Sequence, residues 1–532
     1  MNKLNFVLAQ VNLTVGDIDN NLYKILNACH EAKNFLHADI IIFPELALSG
    51  YPPEDLLFRH EFLEKISSAL TNIQHNLPEN LCIILGYPEK NSLTKQCHNS
   101  AIVMTKNKII TNYRKQILPN NGVFDEKRYF IEGTKNCVFT YKKNTIALFI
   151  CEDLWKVHLT EKMKPSHTDF IIAINASPFN AGKIQTRLNK MKVHCKLAKS
   201  GLIYVNHCCG QDDLIFDGSS FVLNSDGKMI CLAPFASESL QLFDSSASVK
   251  KLPRIIPTQE QLYNALVLGV RDYVKKNHFE KVVLGFSGGI DSSLTLAIAT
   301  DALGKENVLP VIMPSQFTSE LSLTCAKAQL KNMGMKTYRN ISIDSLFNEF
   351  ITQLNFPTEI LTIQNIQARI RAVLLMGISN ETNSLLLNTS NKSEIAVGYS
   401  TLYGDMCGAY AVIKDVWKTQ VYELCHFRNQ VSPIIPLDII TRPPTAELAH
   451  NQLDTDSLPP YDILDKILIM YIEEEKSMSQ IIKSGFDKTH VKKIIQLIVK
   501  NEYKRKQSPL GPKITPLAFT RERRYPITSG FF

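Results

Sequence analysis

The amino-acid sequence predicts an α/β protein with two domains in its 532 residues. Short apolar runs typical of buried strands alternate with helical patterns in both halves of the chain. A lysine- and proline-containing stretch lies between the halves, and 532 residues exceed what one hydrophobic core usually organises. We therefore expect a first domain at 1–245, a linker at 246–257 and a second domain at 258–532.

Composition and charge narrow the class of protein. The chain is 45% hydrophobic and 21% charged, as in an ordinary globular protein, and it holds no apolar run of 18 residues. Its N-terminus is too short and too polar for a signal peptide. The twelve cysteines are scattered without a C-x-x-C pair, which favours a reducing cytoplasm. A net charge of +8 is mild and favours small anionic ligands over nucleic acid.

The first half begins with a strand, a helix and a second strand. Residues 4–11 and 38–43 read as strands, and 20–36 reads as the helix between them. Pro44 stops the second strand and leaves Glu45 at its carboxyl end, where catalytic groups often lie. Taken alone, Glu45 would more often be a solvated loop acid.

Two later segments change the interpretation of Glu45. Lys115 precedes a proline-punctuated loop, and the strand at 145–150 ends abruptly at Cys151. A cysteine at such an elbow is exposed to substrate, and a nearby cation would favour its thiolate. A positioned carboxylate could act as its general base. Taken alone, Cys151 would more often be a buried structural thiol. Together the residues supply a base, an electrostatic stabiliser and a nucleophile.

These three residues, in this order, resemble the Glu-Lys-Cys set of the nitrilase/amidase superfamily. The resemblance implies an αββα sandwich over residues 1–245. It also implies a glutaminase in which Cys151 attacks the side-chain amide of glutamine, releases ammonia and leaves a thioester for water to hydrolyse.

Further positions of that family can be placed in this sequence. Residues 175–179 with 182–183 resemble the glutamine-recognition segment, which implies contacts from Ser177 and Lys183. Asn121 stands where relatives commonly carry a glutamine-binding tyrosine, so this contact departs from the family pattern. Glu126, nearby, would be an acid that orients Lys115.

The second half is organised around residues 282–293, which read as a buried strand, a glycine turn and the start of a helix. Gly288 and Gly289 let the backbone approach an oxyanion, and the helix N-terminus favours negative charge. A carboxylate beside bound phosphate is repulsive without a cation, so Asp291 suggests Mg²⁺. The alternative is a simple glycine turn with incidental serines.

Three further apolar runs, at 308–314, 337–343 and 384–388, read as strands that alternate with helical patterns. This order predicts a parallel sheet with ligands at the carboxyl ends of its strands. Thr389 and Glu394 follow the last of these strands, so we expect them at the same edge as Asp291.

The Ser-Gly-Gly-Ile-Asp-Ser run at 287–292 resembles the pyrophosphate loop of ATP-pyrophosphatase enzymes, in a Rossmann-like fold. Together with the segments 365–371, 391–394 and 398–405, it closely resembles the NAD⁺ synthetase family, and the fused glutaminase indicates the glutamine-dependent form. The resemblance covers essentially the whole chain and implies ATP-dependent amidation of deamido-NAD⁺ through an acyl adenylate. It implies small-molecule partners (deamido-NAD⁺, ATP and glutamine), no nucleic acid, no membrane, and a homo-oligomer of at least two chains.

The family resemblance also implies the role of each matching position. The implied ATP contacts are Gly285, Phe286, Ser287, Gly288, Gly289, Ile290, Asp291, Ser292, Thr389 and Lys418. The implied Mg²⁺ ligands are Asp291 and Glu394. The implied deamido-NAD⁺ contacts are Asn365, Arg369, Glu394, Asp405 and Lys513. Taken alone, Lys418 or Arg369 would more often lie on a solvated helix face.

Two alternatives are open, one within the same class of enzyme and one in another class of protein. One is an amidotransferase of the asparagine- or GMP-synthetase type. The first needs a cysteine at the mature N-terminus, where this chain has Asn2, and the second uses a Cys-His-Glu glutaminase. The other alternative is a nucleic-acid-binding protein that uses a basic C-terminal cluster. Its interleaved prolines and aromatics favour a loop that closes over a phosphate-rich ligand. The cluster consists of Lys504, Arg505, Lys506, Arg523 and Arg524.

Overall fold

The computed structural model describes residues 3–91, 96–163, 168–247, 254–355, 359–445, 447–449, 454–456 and 458–531. Its contacts divide the chain into two units, Met1–Gln211 with Ile215–Pro257 and Asp212–Leu214 with Thr258–Phe532. Most of the lysine- and proline-containing part of the expected linker, at 248–253, lies outside the described residues.

The first unit contains two six-stranded sheets with apolar faces turned toward each other. Their orders are β14-β1-β2-β3-β4-β5 and β13-β12-β9-β8-β7-β6. The twelve strands of these sheets are β1 (Asn5–Gln10), β2 (Ile40–Ile42), β3 (Cys82–Lys90), β4 (Cys97–Thr105), β5 (Lys108–Arg114), β6 (Cys137–Tyr141), β7 (Asn144–Ile150), β8 (Phe170–Asn175), β9 (Gly201–Asn206), β12 (Phe221–Leu223), β13 (Met229–Leu232) and β14 (Ser239–Asp244). Two further strands, β10 (Cys208–Gln211) and β11 (Leu214–Asp217), form a separate two-stranded sheet.

Helices cover the outer faces of this pair of sheets. They are α1 (Ile18–Asn34), α2 (His60–Asn76), α3 (Glu126–Tyr129), α4 (His158–Met163) and α5 (Lys183–Ala198). Between the sheets, Phe6 of β1 meets Phe170 of β8 edge to face at 4.9 Å between ring centroids. On the outer face, Leu188 and Met191 of α5 pack against the second sheet. The predicted αββα sandwich is confirmed, because both sheets bury one face against each other and one against helices.

The second unit is a five-stranded, wholly parallel sheet with the order β17-β16-β15-β18-β19. Its strands are β15 (Lys281–Gly285), β16 (Val308–Ile312), β17 (Arg339–Asn340), β18 (Ser384–Asn388) and β19 (Tyr410–Ala411). Its helices are α6 (Thr258–Lys276), α7 (Ile290–Leu303), α8 (Glu320–Asn332), α9 (Asp344–Leu354), α10 (Ile360–Thr382), α11 (Lys392–Val397), α12 (Lys418–Val431), α13 (Leu437–Thr441), α14 (Tyr461–Ile472), α15 (Met478–Lys483), α16 (Lys488–Lys500) and α17 (Glu502–Arg505).

The predicted strands of the second unit differ in how well they match. The strand expected at 384–388 forms as β18, whereas the one expected over 337–343 shrinks to the two exposed residues of β17. β17 lies at the edge of the sheet, where polar residues and short pairing limit a strand. Among the helices of the described part of the chain, none is both long and apolar enough to cross a membrane.

Candidate active sites

Glu45 lies just after β2, where Phe43 and Pro44 carry the chain off the first sheet, and its side chain is fully buried. One carboxylate oxygen, Oε1, accepts hydrogen bonds from Lys115 Nζ at 2.6 Å and Asn99 Nδ2 at 2.7 Å. The other, Oε2, accepts the backbone N–H of Ala176 at 2.9 Å. These three donors hold the carboxylate in one orientation, as a general base requires.

Lys115 follows β5 and bridges two acids. Besides Glu45, its Nζ contacts Glu126 Oε1 at 2.8 Å, and Tyr51 donates its hydroxyl to the same oxygen at 3.1 Å. Burial alone lowers the pKa of Lys115, but Glu126 and Glu45 outweigh it and leave that pKa well above its ordinary value. Burial, followed by the Glu45 charge, raises the pKa of Glu126 to about 7 against the opposing effect of Lys115. Lys115 is therefore a fixed cation.

Cys151 is the first residue after β7, and it takes a φ of +45°, which L-residues rarely adopt. The side chain was expected to be exposed and its thiolate favoured, yet the residue is only 5% exposed. Burial, followed by the charge of Glu45, raises the pKa of the thiol well above its ordinary value, although Lys115 lowers it. The cation therefore acts in the expected direction, but the expected exposure is wrong, and desolvation outweighs the effect of Lys115 on the pKa of the thiol. The thiol needs a base.

The segment expected to recognise glutamine follows β8. Ser177 is buried, its N–H donates to Asn206 Oδ1 at 2.9 Å, and its hydroxyl accepts from Arg187 Nε at 3.1 Å. Lys183 begins α5, with Nζ 4.5 Å from the ring centroid of Trp155. Asn121 is exposed in a turn where its carbonyl accepts the N–H of Phe124. Ser177 and Lys183 thus lie near the two ends of the connection from β8 to α5.

Sequence reasoning missed three buried polar residues of this site. Asn99 on β4 orients Glu45, Arg187 on α5 holds the Ser177 loop, and Asp153 contacts the segments of both Lys115 and Cys151. Arg187 also pairs with Asp217 in two hydrogen bonds of 2.8 and 2.9 Å. Asn99 carried no clear sequence signal, because it lies in the polar stretch His98-Asn99-Ser100 at the start of β4. Asp153 could have been noticed because it lies only two residues after Cys151.

In the second unit, the glycine loop lies between β15 and α7 beside a cavity of about 310 Å³. Gly288 has a φ of +76°, and a Cβ atom there would lie 2.4 Å from the backbone oxygen of Ser322, so only glycine fits. Ser287 Oγ accepts the N–H of Gly289 at 3.1 Å. The predicted positions that line the cavity are Gly285, Phe286, Ser287, Gly289, Ile290, Asp291, Ser292, Thr389, Glu394, Asp405 and Lys418.

Lys418 brings together the two acids that the sequence placed at one edge of the sheet. Its Nζ lies 2.5 Å from Asp291 Oδ2 and 3.4 Å from Glu394 Oε1. Asn391 donates to the other Asp291 oxygen at 2.9 Å. Burial, followed by the Asp291 charge, raises the pKa of Glu394 to about 8. Burial alone lowers the pKa of Lys418, but the two acids leave it raised. Over the described residues, no three His, Cys, Asp or Glu side chains group as a metal site.

Three expected dinucleotide contacts gather around one turn. Thr401 donates its hydroxyl to Asn365 Oδ1 at 2.8 Å and its N–H to Asp405 Oδ1 at 2.6 Å. Arg369, one helical turn from Asn365 on α10, donates Nε to the carbonyl of Leu402 at 3.2 Å. Of these, Asp405 lines the cavity.

Lys513 is not brought to the cavity. It is buried, its Nζ donates to the carbonyls of Thr515 and Pro516 at 2.5 and 3.1 Å, and it lies 3.4 Å from Glu522. The ammonium is therefore paired with groups of the C-terminal segment itself. The expected contact with the dinucleotide is thus not preformed here, because nearby carbonyls and an acid already satisfy the ammonium.

The basic C-terminal cluster is also largely engaged. Lys504 donates to the carbonyls of Gly398 and Ser400 at 2.9 and 2.7 Å. Arg505 and Arg523 both contact Glu502 Oε2, at 2.8 and 2.6 Å. These three cations therefore hold the C-terminal segment on its own unit.

Two arginines that the sequence analysis did not single out line the cavity. Arg442 donates Nη2 to the carbonyl of Gly288 and Nη1 to Ser322 Oγ, both at 2.7 Å. Arg371 donates Nε to the carbonyl of Met313 at 3.1 Å, and burial lowers its pKa to about 10. They add positive charge around the glycine loop.

Comparison with known families assigns both units. Residues 8–253 match the carbon-nitrogen hydrolase family and residues 262–508 match the NAD synthase family. The chain is therefore a carbon-nitrogen hydrolase joined to an NAD synthase.

Full-length relatives narrow this class further. The glutamine-dependent NAD(+) synthetase of Acinetobacter baylyi is 44% identical over 545 residues, which cover 100% of this chain and 99% of the relative. That of Aquifex aeolicus is 41% identical over 99% of this chain and 100% of the relative.

A solved structure agrees with these relatives. The glutamine-dependent NAD+ synthetase from Acinetobacter baumannii in complex with ADP is 41% identical, with a TM-score of 0.80 over 100% of this chain and 99% of that one. The chain belongs to the glutamine-dependent NAD(+) synthetase family. The family and the fold class predicted from the sequence are confirmed.

Proposed function

We propose that the chain makes NAD⁺ by ATP-dependent amidation of deamido-NAD⁺, with ammonia taken from glutamine. The observation that carries this proposal most strongly is the buried 2.6 Å contact between Glu45 and Lys115 beside Cys151, in a chain that also holds an NAD synthase unit. A glutaminase alone would not need the second unit, and an ammonia-dependent synthetase would not need the first.

At the glutaminase site, the Cys151 sulfur attacks the amide carbon of glutamine while Glu45 takes the thiol proton. Lys115 stabilises the oxyanion that forms. The C–N bond then breaks, Glu45 returns the proton to the leaving nitrogen, and ammonia departs from a thioester. Water, deprotonated by Glu45, hydrolyses the thioester to glutamate and free thiol. Ser177 and Lys183 hold the substrate, and exposed Asn121 contributes at the rim.

At the synthetase site, the nicotinate carboxylate attacks the α-phosphate of ATP and pyrophosphate leaves. Ammonia then attacks the activated carbonyl and expels AMP. The loop from Gly285 to Ser292 cradles the phosphates with backbone N–H groups, serine hydroxyls and a helix N-terminus. Thr389 and Lys418 add contacts to ATP, and their place in the lining of the same cavity supports this role.

The acids of this cavity fit Mg²⁺, which favours one or two carboxylates together with substrate phosphates. Asp291 and Glu394 already share a cation, the Lys418 ammonium, so the site attracts positive charge. Asp291 and Glu394 would hold the ion. It would neutralise phosphate charge when bound.

Deamido-NAD⁺ binds, in this proposal, to Asn365, Arg369, Glu394, Asp405 and Lys513. The gathering of three of these around the Thr401 turn supports a single recognition surface. Lys513 would have to exchange its carbonyl partners for the ligand.

We further propose a homo-oligomer of at least two chains in the cytoplasm, with domains at 1–245 and 258–532. Two exposed apolar side chains one turn apart on α10, Val373 and Met376, support a covered patch. The twelve cysteines are scattered along the chain without a C-x-x-C pair, which supports a reducing compartment. Light scattering on the purified chain tests the oligomer, and a monomer at micromolar concentration would contradict it.

The decisive experiment measures NAD⁺ formation from deamido-NAD⁺, ATP and Mg²⁺, with either glutamine or ammonium as the nitrogen source. We expect product from both sources, together with equimolar AMP and pyrophosphate. RNA binding with steep salt dependence and no NAD⁺ formation would support the nucleic-acid alternative instead.

A further inference from the structure

One buried carboxylate touches the backbone on both sides of the glutaminase site. Asp153 Oδ1 accepts the N–H groups of Gln116 and Ile117 at 3.0 and 2.9 Å. Its Oδ2 accepts the N–H of Ile150 at 3.1 Å and the hydroxyl of Tyr113 at 2.7 Å. An ionised carboxylate has about four lone-pair positions, and all four are used here. Asp153 itself is fully buried.

The donors are the immediate chain neighbours of two candidate catalytic residues. Gln116 and Ile117 follow Lys115, and Ile150 precedes Cys151. The two segments are far apart in sequence, since Ile117 and Asp153 are separated by 36 residues. Asp153 therefore joins the end of β5 to the end of β7 at the level of the reacting groups.

We propose that Asp153 is a positioning residue that holds Lys115 in register with the Cys151 turn. This inference rests on the glutaminase half of the proposed function. Asp153 does not act on the substrate in this proposal. Its effect passes through two backbone segments, and displacement of catalytic groups by about 1 Å is enough to cost roughly a hundredfold in rate.

The chemistry of the contacts requires a carboxylate rather than an amide. The oxygen of an asparagine could keep two of the N–H donors, but its NH₂ group would then face another backbone N–H. Either orientation leaves a buried donor without an acceptor. Burial raises the pKa of Asp153 to about 6, against the opposing hydrogen bond of Tyr113, so the ionised form prevails at pH 7.5.

The test compares Asp153→Asn with the wild-type full-length chain at pH 7.5. We expect kcat for glutamine hydrolysis to fall about ten- to a hundredfold, KM for glutamine to stay unchanged, and ammonia-dependent NAD⁺ formation to keep its rate. Tyr113→Phe removes one of the four donors and should reduce kcat in the same direction but less. The matched control is Asp169→Asn, because Asp169 accepts the N–H of Thr145 at 2.8 Å, at the opposite end of β7.

A second readout separates positioning from general structural support. Iodoacetamide labels Cys151 through its thiolate, and mass spectrometry of that peptide gives the labelling rate against pH. Glu45, Glu152 and Glu126 raise the pKa of the thiol and Lys115 lowers it. The buried Arg187, whose own pKa the Cys151 charge helps to raise, is a further cation that interacts with the thiol. If Asp153→Asn moves Lys115 away from the thiol, the pH at which the labelling rate is half-maximal (the labelling midpoint) rises. Asp169→Asn should leave this midpoint unchanged.

Each outcome bears on the inference. Wild-type kcat in Asp153→Asn, or an unmoved labelling midpoint, overturns it. If Asp153→Asn does not fold, Tyr113→Phe decides, and unchanged glutamine hydrolysis in that variant overturns it. Absence of glutamine hydrolysis in the wild-type chain would contradict the proposed function instead, whereas the labelling midpoint would still report on Asp153.

Discussion

Each unit places a lysine between two acids, but the two arrangements differ in their access to solvent. Lys115 lies between Glu45 and Glu126, and all three residues are at most 5% exposed. Lys418 is equally buried, yet the side chains of its partners Asp291 and Glu394 are 19% and 18% exposed and line a cavity. A lysine and two acids are therefore buried away from solvent in the first unit (the sealed site) and partly exposed in a cavity in the second (the open site).

The difference in access explains how similar charge sets can serve different chemistry. In the sealed site, burial raises the pKa of the Cys151 thiol, so the proposed nucleophile would rely on the fixed Glu45 carboxylate as its base. In the open site, burial raises the pKa of Glu394 to about 8, and Arg371 and Arg442 also line the cavity, so positive groups are available to a triphosphate. The proposed Mg²⁺ would add to this positive charge when the ligand binds. Four variants test or refine this contrast.

The largest effect is expected from Cys151→Ala. Glutamine-dependent NAD⁺ formation should fall by about three orders of magnitude or more, because the nucleophile is lost. Ammonia-dependent formation should persist, because that reaction does not use the sealed site. Parallel assays with glutamine and ammonium measure both rates. Cys195→Ala, a buried cysteine of α5, is the control and should retain both activities. Loss of both activities in a folded Cys151→Ala variant would contradict the division of labour.

Asp291→Asn should disable the open site with either nitrogen source. Removal of one of the two cavity acids should lower NAD⁺ formation by about a hundredfold or more, while glutamate release from glutamine continues. Asp301→Asn is the control, since Asp301 lies on the same helix and pairs with Arg428. Wild-type synthesis by Asp291→Asn would remove the basis for a metal at this position.

A smaller effect is expected from Lys183→Ala. Its ammonium, stacked on Trp155 beside the Ser177 loop, is the candidate partner for the glutamine carboxylate. Loss of one charge-assisted contact should raise KM for glutamine about tenfold and leave KM for ammonium unchanged. Initial-rate kinetics measure both constants. Lys190→Ala, an exposed lysine of α5, should change neither. An unaltered KM for glutamine in Lys183→Ala would exclude this role.

The smallest effect concerns the pH dependence of stability in Glu126→Gln. The pKa of Glu126 is about 7 in the folded chain, above its ordinary 4.5, chiefly because of burial. Between these values the folded state binds more protons than the unfolded state, so stability falls as pH rises. The melting temperature of the wild type, relative to Glu126→Gln, should therefore drop by a few degrees from pH 5 to pH 7 and then level off. Differential scanning fluorimetry measures it, and a constant difference would mean that Glu126 is ionised throughout.

Much of each candidate site could be predicted because its residues directly follow strands. Glu45 and Cys151 each come directly after an apolar run, at the ends of β2 and β7 in two different sheets. Asp291 and Glu394 follow β15 and β18, which are parallel neighbours, and the carboxyl ends of parallel strands meet at one edge. Gly288 was identifiable because a turn between a strand and a helix at an anion site requires a residue that tolerates positive φ. The Lys513 contact could not be judged from sequence, since its partners, the Thr515 and Pro516 carbonyls, depend on the path of the folded segment.

The sequence by itself determined the fold class and the family, and it identified the residues that could react. Apolar periodicity and strand-end motifs are local patterns, and they survive in the chain without knowledge of its packing. The tertiary structure alone decided the burial of Cys151, which raises the pKa of its thiol, and the joining of Lys418 to two distant acids. It also decided the bridging of two candidate catalytic segments by Asp153. Burial and charge contacts between residues remote in sequence control these properties, and both arise only when the chain is packed.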